Sequence, residues 1–232
     1  MTRTLRLLSG GAAQGLVEAV RPAFEAETGC RLEGVFGAVG AMRDRLAAGE
    51  RVDLLILSRA LIEGLAREGQ IEGASARDLG TVATAIAVRA GDCVPPLVDA
   101  EALRRVLLAA DAIHFPDPAR ATAGIHFAKV MAKLGLEDRL VDRLRPAPNG
   151  ATAMRALAAS RARRPIGCTQ ATEILATPGI VLAAPLPPGC DLSTVYTAAI
   201  ATNAEAPREA AILIERLTAP TTLPTRQRLG FA

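Results

Sequence analysis

A chain of 232 residues suffices for one large domain or two small lobes, because typical domains contain roughly 100–200 residues. Half of it is apolar, with no Trp, one Tyr and five Phe, so the core must be aliphatic and a base-stacking surface for nucleic acid is disfavoured. The net charge of +3 comes from 27 basic and 24 acidic residues of interspersed sign, a mild bias that suits an anionic ligand.

Strand-like and helix-like segments alternate from the start of the chain. In the first third, the apolar patterns predict strands at 5–8, 31–36 and 52–57 and helices at 11–27, 41–48 and 60–68. Pro22 is expected to kink or restart the first helix, and Gly29 to end it. Ser58 is the expected N-cap of the third helix.

The alternation continues through the rest of the chain. It predicts strands at 81–88, 112–115, 166–169, 180–184 and 195–201, an extended piece at 145–148, and helices at 99–109, 123–134, 151–162, 171–176, 207–217 and about 221–229. Thr122 is the expected cap of the 123–134 helix, and Asn203 or Glu205 that of the 207–217 helix. Repeated strand–helix units predict an α/β fold with parallel sheets flanked by helices.

Two connecting stretches, near 81–95 and 184–195, divide the chain into an inner block and two outer blocks. If the outer blocks fold together, residues 1–82 and 194–232 form one lobe and residues 83–193 a second. Such lobes, joined by two crossings, would act as a hinge with a ligand cleft between them. The alternative is one continuous doubly wound sheet.

Some classes of site and location are disfavoured. The four cysteines are too widely spaced for a metal knuckle or a Cys-x-x-Cys redox pair, and no metal or cofactor is expected. No run of about eighteen apolar residues occurs, so no membrane insertion is expected. No signal peptide precedes the first strand, which predicts a cytoplasmic protein, or a periplasmic one if a leader was removed.

Two segments place free backbone amides at a helix N-terminus, where anions are attracted. One is the glycine turn after the first strand, which contains Ser9, Gly10, Gly11 and Ala12. The other is the small-residue turn Thr122, Ala123 and Gly124. If they face each other across a cleft, they form a clamp for a small anion.

An ordered set of segments resembles the periplasmic molybdate-binding protein family, which includes aconitate isomerase-like relatives. The matching pieces are Pro-Ala-Phe-Glu-Ala-Glu-Thr-Gly at 22–29, Phe-Gly-Ala-Val-Gly-Ala-Met at 36–42, and the segments 48–53, 122–126, 167–173 and 196–200. Their order and spacing cover nearly the whole chain. The resemblance implies the two-lobed, type II periplasmic-binding-protein fold, each lobe a mainly parallel sheet flanked by helices.

The resemblance also implies where the ligand is held. Family members grip an oxyanion with two serine hydroxyls, backbone amides and a tyrosine hydroxyl. The serine positions fall on Ala12, with Ser9 nearby, and on Ala38 or Val39, the tyrosine position falls on Gln170, and the backbone contacts fall on Ala123–Gly124 and near Thr152. Thr169 offers a further hydroxyl. Because a buried anion that loses these donors keeps its desolvation cost, an organic polycarboxylate is expected rather than molybdate.

The isomerase relatives imply an enzymatic alternative. Moving a double bond along a tricarboxylate requires a base and an acid beside the anion, and His126 and Glu173 are the candidates, with Asp53 a weaker one. Each also has a structural interpretation: a half-buried histidine, a helix-dipole or surface glutamate, and a local cap. Tyr196 either contacts the ligand or packs at the hinge. Carrier for an ABC-type importer, isomerase and cytosolic sensor thus remain open, each with a small anion as ligand.

Overall fold

The computed structural model describes residues 3–232. The chain forms two compact units. The first contains the chain up to Val82 together with Thr194–Ala232, and the second is Ala83–Ser193. Each unit is an α/β structure in which helices flank a sheet.

Nine strands and ten helices alternate along the described residues. The strands are β1 Thr4–Gly10, β2 Arg31–Gly37, β3 Leu54–Ser58, β4 Arg77–Arg89, β5 Ala112–Pro116, β6 Leu144–Ala147, β7 Pro165–Gln170, β8 Ile180–Pro185 and β9 Ser193–Ile200. The helices are α1 Gln14–Thr28, α2 Val39–Ala47, α3 Arg59–Arg67, α4 Ala100–Ala109, α5 Thr122–Lys133, α6 Glu137–Leu140, α7 Gly150–Ala158, α8 Ala171–Leu175, α9 Pro207–Thr218 and α10 Leu223–Arg228.

The first unit is built on strands in the order β2-β1-β3-β9. β1 pairs in parallel with β2 and β3, and β9 runs antiparallel to β3. Leu54–Leu57 of β3 are fully buried, as expected of a strand covered on both faces. Because β1, β2 and β3 are parallel, their carboxyl ends lie at one edge of the sheet, and each leads into a helix there: α1, α2 and α3.

The second unit has the same plan. β5 pairs in parallel with β6 and β7, while β4 runs antiparallel to β7 and β8. The carboxyl ends of β5, β6 and β7 therefore share one edge, and the next helices in the chain are α5, α7 and α8. One face of the sheet carries a hydrophobic core that includes Ile86, Leu103, Leu107, Phe115 and Phe127. In open α/β sheets, this carboxyl edge is where ligands bind.

The structure confirms the α/β fold and the predicted order of strands and helices, and it adds the short helix α6, which was not predicted. Both sheets are mixed, because β4, β8 and β9 add antiparallel pairings to the parallel strands. Gly29 ends α1 with a φ of 63°. The predicted restart at Pro22 is wrong, since α1 continues through it. The buried stripe of α1, which contains Leu16, Val17, Val20 and Phe24, compensates for the lost backbone hydrogen bond.

Of the predicted caps, Ser58 is the N-cap residue of α3, as expected, although its side chain makes no capping hydrogen bond. The other two predicted caps are wrong. Thr122 is the first residue of α5 rather than its cap, which is Ala121. The N-cap of α9 is Ala206, not Asn203 or Glu205, and Asp53 accepts the amide hydrogens of Glu205 and Ala206 instead. Within residues 3–232, no helix has the length and apolarity that a membrane span requires.

Candidate functional site

In the first unit, the carboxyl edge brings Gly10, Val39 and Tyr196 together. A Cβ atom built on Gly10 would lie 2.9 Å from Val39 Cγ1 and 3.0 Å from Tyr196 Cε1. Only glycine therefore fits at the end of β1 without moving its neighbours. Tyr196 is buried and packs against the glycine turn.

The starts of α1 and α2 at this edge have backbone amides and no hydroxyl group at the N-cap position. Gly10, before the 3-10 turn Gly11–Ala13 that continues into α1, and Ala38, before α2, make no side-chain capping bond. The first amides of a helix have no carbonyl one turn earlier to bond. Ala12, Ala38 and Val39 are buried and apolar, and the buried Ser9 hydroxyl donates to the Gly10 carbonyl oxygen at 2.9 Å. Backbone amides are thus the anion-attracting groups here.

In the second unit, the start of α5 has the same character. Asp117 organises the preceding loop, since its Oδ1 accepts from the amides of Ala119 at 2.7 Å and Arg120 at 3.2 Å. A Cβ on Gly124 would overlap the carbonyl oxygens of Pro116 and Asp117, so α5 begins in close contact with the end of β5. No side chain caps this helix. The amides of Thr122, Ala123 and Gly124 therefore have no carbonyl acceptor within the helix.

The start of α7 differs, because the chain itself supplies acceptors. Asn149 Oδ1 accepts from the Thr152 amide at 2.9 Å, and the Glu173 carboxylate accepts from the Ala151 amide. The Thr152 hydroxyl accepts a 3.0 Å hydrogen bond from Arg155. The Thr152 amide, expected as a ligand contact, thus already donates to an acceptor within the unit.

Glu173 is a buried carboxyl group at the centre of this arrangement. Its Oε2 accepts a 2.5 Å hydrogen bond from the Thr169 hydroxyl, and its carboxylate also accepts from the Gln170 amide. Gly150 lies against both side chains, since a Cβ there would overlap Glu173 Oε2 and Thr169 Oγ1. Burial raises the pKa of the Glu173 carboxyl above its ordinary value, although these hydrogen bonds oppose the shift.

The geometry of Glu173 fits two roles. As the third residue of α8, it reaches back to the amide of Gln170, the N-cap, which is half of a capping box. A buried carboxyl with a raised pKa is also suited to proton transfer near neutral pH. The surface interpretation of Glu173 is wrong, because the residue is only 8% exposed.

His126 lies in the second turn of α5 and is half-buried. Its Nε2 is 2.8 Å from the carbonyl oxygen of Cys190. Because a carbonyl only accepts, Nε2 carries a hydrogen, and in the neutral ring Nδ1 is the basic nitrogen.

Asp53 has a structural role. It is 1% exposed, and its carboxylate accepts three amide hydrogens, from Arg6 at 2.7 Å, Glu205 at 2.7 Å and Ala206 at 2.9 Å. These bonds join β1 to the start of α9. These contacts are structural, but they are not the local cap expected from the sequence, because the helix start that Asp53 caps lies about 150 residues later in the chain.

Thr84 is a polar residue at the carboxyl edge of the second unit that was not predicted from the sequence. It lies on β4 opposite Gln170, and Gln170 is only 2% exposed. Thr84 is the one hydroxyl-bearing residue in the apolar run 83–88, and this isolated polar position could have indicated it. Among residues 3–232, no group of three or more His, Cys, Asp or Glu side chains is placed to hold a metal ion.

Comparisons with known proteins identify relatives of this chain in sequence and in structure. Aconitate isomerase from Pseudomonas sp is 28% identical over 222 residues, which cover 92% of this chain and 82% of that protein. The periplasmic molybdate-binding protein of Azotobacter vinelandii superposes with a TM-score of 0.80 at 19% identity and covers 98% of both chains. The sulfate-binding protein SubI of Mycobacterium tuberculosis H37Rv superposes with a TM-score of 0.77 at 16% identity, covering 99% of this chain and 86% of that one.

These structural likenesses confirm the periplasmic-binding-protein fold, and the resemblance inferred from the ordered segments is confirmed with it. The model of the family described as bacterial extracellular solute-binding protein matches residues 5–232, nearly the whole chain. The chain therefore belongs to the bacterial extracellular solute-binding protein family.

Proposed function

We propose that this protein binds a small organic polycarboxylate through backbone amides at helix N-termini. The observation that carries the proposal is that three helix starts that follow the carboxyl ends of parallel strands have no side-chain cap. They are the turn Gly10–Ala12 and the start of α2 at Val39 in the first unit, and Thr122–Gly124 in the second. Amides at such ends bind anions because the helix dipole and the unpaired N–H groups act together. The two units would serve as the two lobes expected from the sequence.

The side chains around these amides favour a carboxylate over a compact metal oxyanion. Ala12, Ala38 and Val39 cannot donate a hydrogen bond, and the hydroxyls of Ser9 and Thr169 donate to acceptors within the chain. Each missing donor costs a buried tetrahedral anion about 1–3 kcal/mol. A larger anion spreads its charge over several carboxylates, and small side chains leave it room.

The comparisons support an anion without deciding which. The names of two structural neighbours specify molybdate and sulfate, and the enzyme relative is named for aconitate, a tricarboxylate. Membership of an extracellular solute-binding family supports a location outside the cytoplasm and delivery to an ABC-type importer.

A thermal-shift screen tests the proposal. The purified protein is heated with molybdate, tungstate, sulfate, citrate, cis-aconitate or trans-aconitate at equal ionic strength. Because a ligand that binds only the folded state raises Tm, the largest rise is expected with a tricarboxylate. A rise with molybdate or tungstate alone would overturn the argument from the missing hydroxyls.

The second candidate function is isomerisation of the bound tricarboxylate, and the observation that favours it is the buried Glu173 with its raised pKa. One residue would remove a proton from a carbon beside a carboxylate, the double bond would shift by one position, and a proton would return at the far carbon, so that atoms and charge balance. Glu173 and His126 Nδ1 are the available groups.

Deuterium exchange distinguishes carrier from isomerase. In deuterated water, an isomerase incorporates deuterium into aconitate, and the exchange is expected to fall at least a hundredfold in Glu173→Gln or His126→Gln. Tight binding of aconitate without exchange in the wild-type protein would establish the carrier.

A further inference from the structure

Thr84 carries a hydroxyl group whose burial the fold does not explain. The residue is 1% exposed, and Oγ1 has no hydrogen-bond partner among the described residues. The backbone around it is firmly held, since the Thr84 amide donates to Leu192 at 2.8 Å and its carbonyl accepts from Leu186 at 3.0 Å. A buried hydroxyl without a partner destabilises a protein, so it requires an explanation in ligand binding or elsewhere.

Strand register places this hydroxyl on a defined face of the sheet. Thr84 lies opposite Gln170, and Ile86 lies opposite Cys168, two residues along each strand. Residues directly opposite each other, and residues two apart, share a face. Ile86 and Cys168 belong to the core layer that contains Phe127 of α5, so Thr84 is on the face that α5 covers.

Register also places Thr84 at the carboxyl edge. Gln170 is the last residue of β7, which is parallel to β5, and the chain continues from the end of β5 to the start of α5. The Thr84 hydroxyl and the uncapped amides of Thr122–Gly124 therefore belong to the same face and the same edge of one unit. These are two independent sets of donors that lack an acceptor.

We propose that Thr84 donates its hydroxyl hydrogen to a carboxylate oxygen of the anion bound at the start of α5, and so contributes to specificity. This inference rests on the proposed function. Hydroxyl and amide donors together bind an oxyanion more tightly than amides alone, because hydrogen bonds to charged acceptors are the strong ones.

The test replaces Thr84 with valine, which has the same shape and no hydroxyl, and measures two quantities. The first is Tm without any anion, which is expected to stay level or to rise because an unsatisfied buried group is removed. The second is Kd for trans-aconitate and for citrate by calorimetry, which is expected to increase about tenfold. Thr84→Ser retains the hydroxyl and should recover most of the affinity.

Thr218→Val is the matched control, because Thr218 Oγ1 donates to the Ile214 carbonyl at 2.8 Å within α9. It is expected to lower Tm and leave Kd unchanged. If Thr84→Val lowers Tm as the control does, its hydroxyl has an internal partner and the inference fails whether or not an anion binds. If the wild-type protein binds either tricarboxylate and Thr84→Val binds equally well, the inference fails and the proposed function stands. If the wild-type protein binds neither, both fail.

Discussion

The hydroxyl of Thr169 donates a 2.5 Å hydrogen bond to Oε2 of Glu173, and both side chains are buried. The amides of Ala151 and Gln170 also donate to Glu173, so its carboxyl group accepts three hydrogen bonds. A carboxylate ligand would be bound by donors of the same kinds. The second unit thus contains a buried carboxyl group at the start of α7 and a helix start without a side-chain cap at α5.

The raised pKa of Glu173 predicts a pH-dependent stability. A carboxyl whose pKa is higher in the folded state contributes stability that is complete below the unfolded-state pKa and is lost as pH rises through the folded-state pKa. The Tm of Glu173→Gln minus that of the wild-type protein should therefore rise as pH increases from about 4. The altered hydrogen bonds of the variant shift this Tm difference by a constant amount, which does not change its slope against pH.

Melting curves between about pH 4 and pH 8 measure the slope. Glu215→Gln, which changes an exposed glutamate of α9, is the control for the loss of a surface carboxylate. A difference that falls with rising pH for Glu173→Gln would mean that its pKa is lowered in the folded protein.

The contact of Gly150 with Thr169 and Glu173 predicts that Gly150→Ala is destabilising. Because the added Cβ would overlap both side-chain oxygens, the free energy of unfolding should fall by about 1–3 kcal/mol or more. Gly64→Ala in α3 is the matched control, since its Cβ would meet nothing nearer than Arg67 Nη2 at 3.9 Å. Urea unfolding should show Gly64→Ala to be more stable by roughly 0.5–1 kcal/mol, and a neutral Gly150→Ala would refute the packing described.

The three amides bound by Asp53 predict a structural phenotype for Asp53→Asn. The amide side chain keeps one acceptor oxygen, so either the Arg6 amide or the pair at Glu205 and Ala206 loses its acceptor. The cost is about 1–3 kcal/mol for each buried amide left unsatisfied. Asp99→Asn is the control, because it caps α4 through one oxygen and asparagine caps equally well.

Chemical denaturation of both variants measures the loss of stability. Calorimetry with trans-aconitate then shows whether the substitution affects stability alone or also anion binding. Folded Asp53→Asn should bind the anion as the wild-type protein does. Loss of binding at unchanged stability would restore a functional role for Asp53.

The two histidines predict distinct signals in nitrogen-15 NMR. His126 should show a protonated Nε2 and a bare Nδ1 when neutral, because Nε2 donates to Cys190. Burial, followed by the charge of Arg145, lowers the pKa of His114, so its ring should remain neutral to lower pH than an exposed histidine. His114→Asn assigns the remaining signal to His126, and an Nδ1-protonated ring there would remove it as a candidate base.

The order of elements was predictable because local signals repeat along the chain. Gly29 and Gly135, with φ of 63° and 65°, follow α1 and α5 where the sequence indicates an end. The cap of α9 was not predictable, because the acceptor at its start is Asp53, about 150 residues earlier in the chain. Local reasoning selected Asn203 and Glu205, which lie near that helix in sequence.

The site was predictable to the extent that it depends on turns. Gly10 and Gly124 are glycines because backbone or side-chain atoms approach them closely. Gly10 was singled out in the turn after a strand, and Gly124 in the small-residue turn that opens a helix. Packing brings together Gly150, Thr169 and Glu173, and strand register pairs Thr84 with Gln170. Neither contact could be predicted, because each joins segments that are distant in the sequence.

An NMR titration of the nitrogen-15-labelled wild-type protein with trans-aconitate tests the central claim most directly. If backbone amides at helix starts hold the anion, the largest amide shifts will fall at Thr122–Gly124 and Gly10–Ala12, and the amides of Ala151 and Thr152 will move less because Glu173 and Asn149 already bind them. Shifts confined to other residues, or shifts produced by molybdate and by no tricarboxylate, would contradict it.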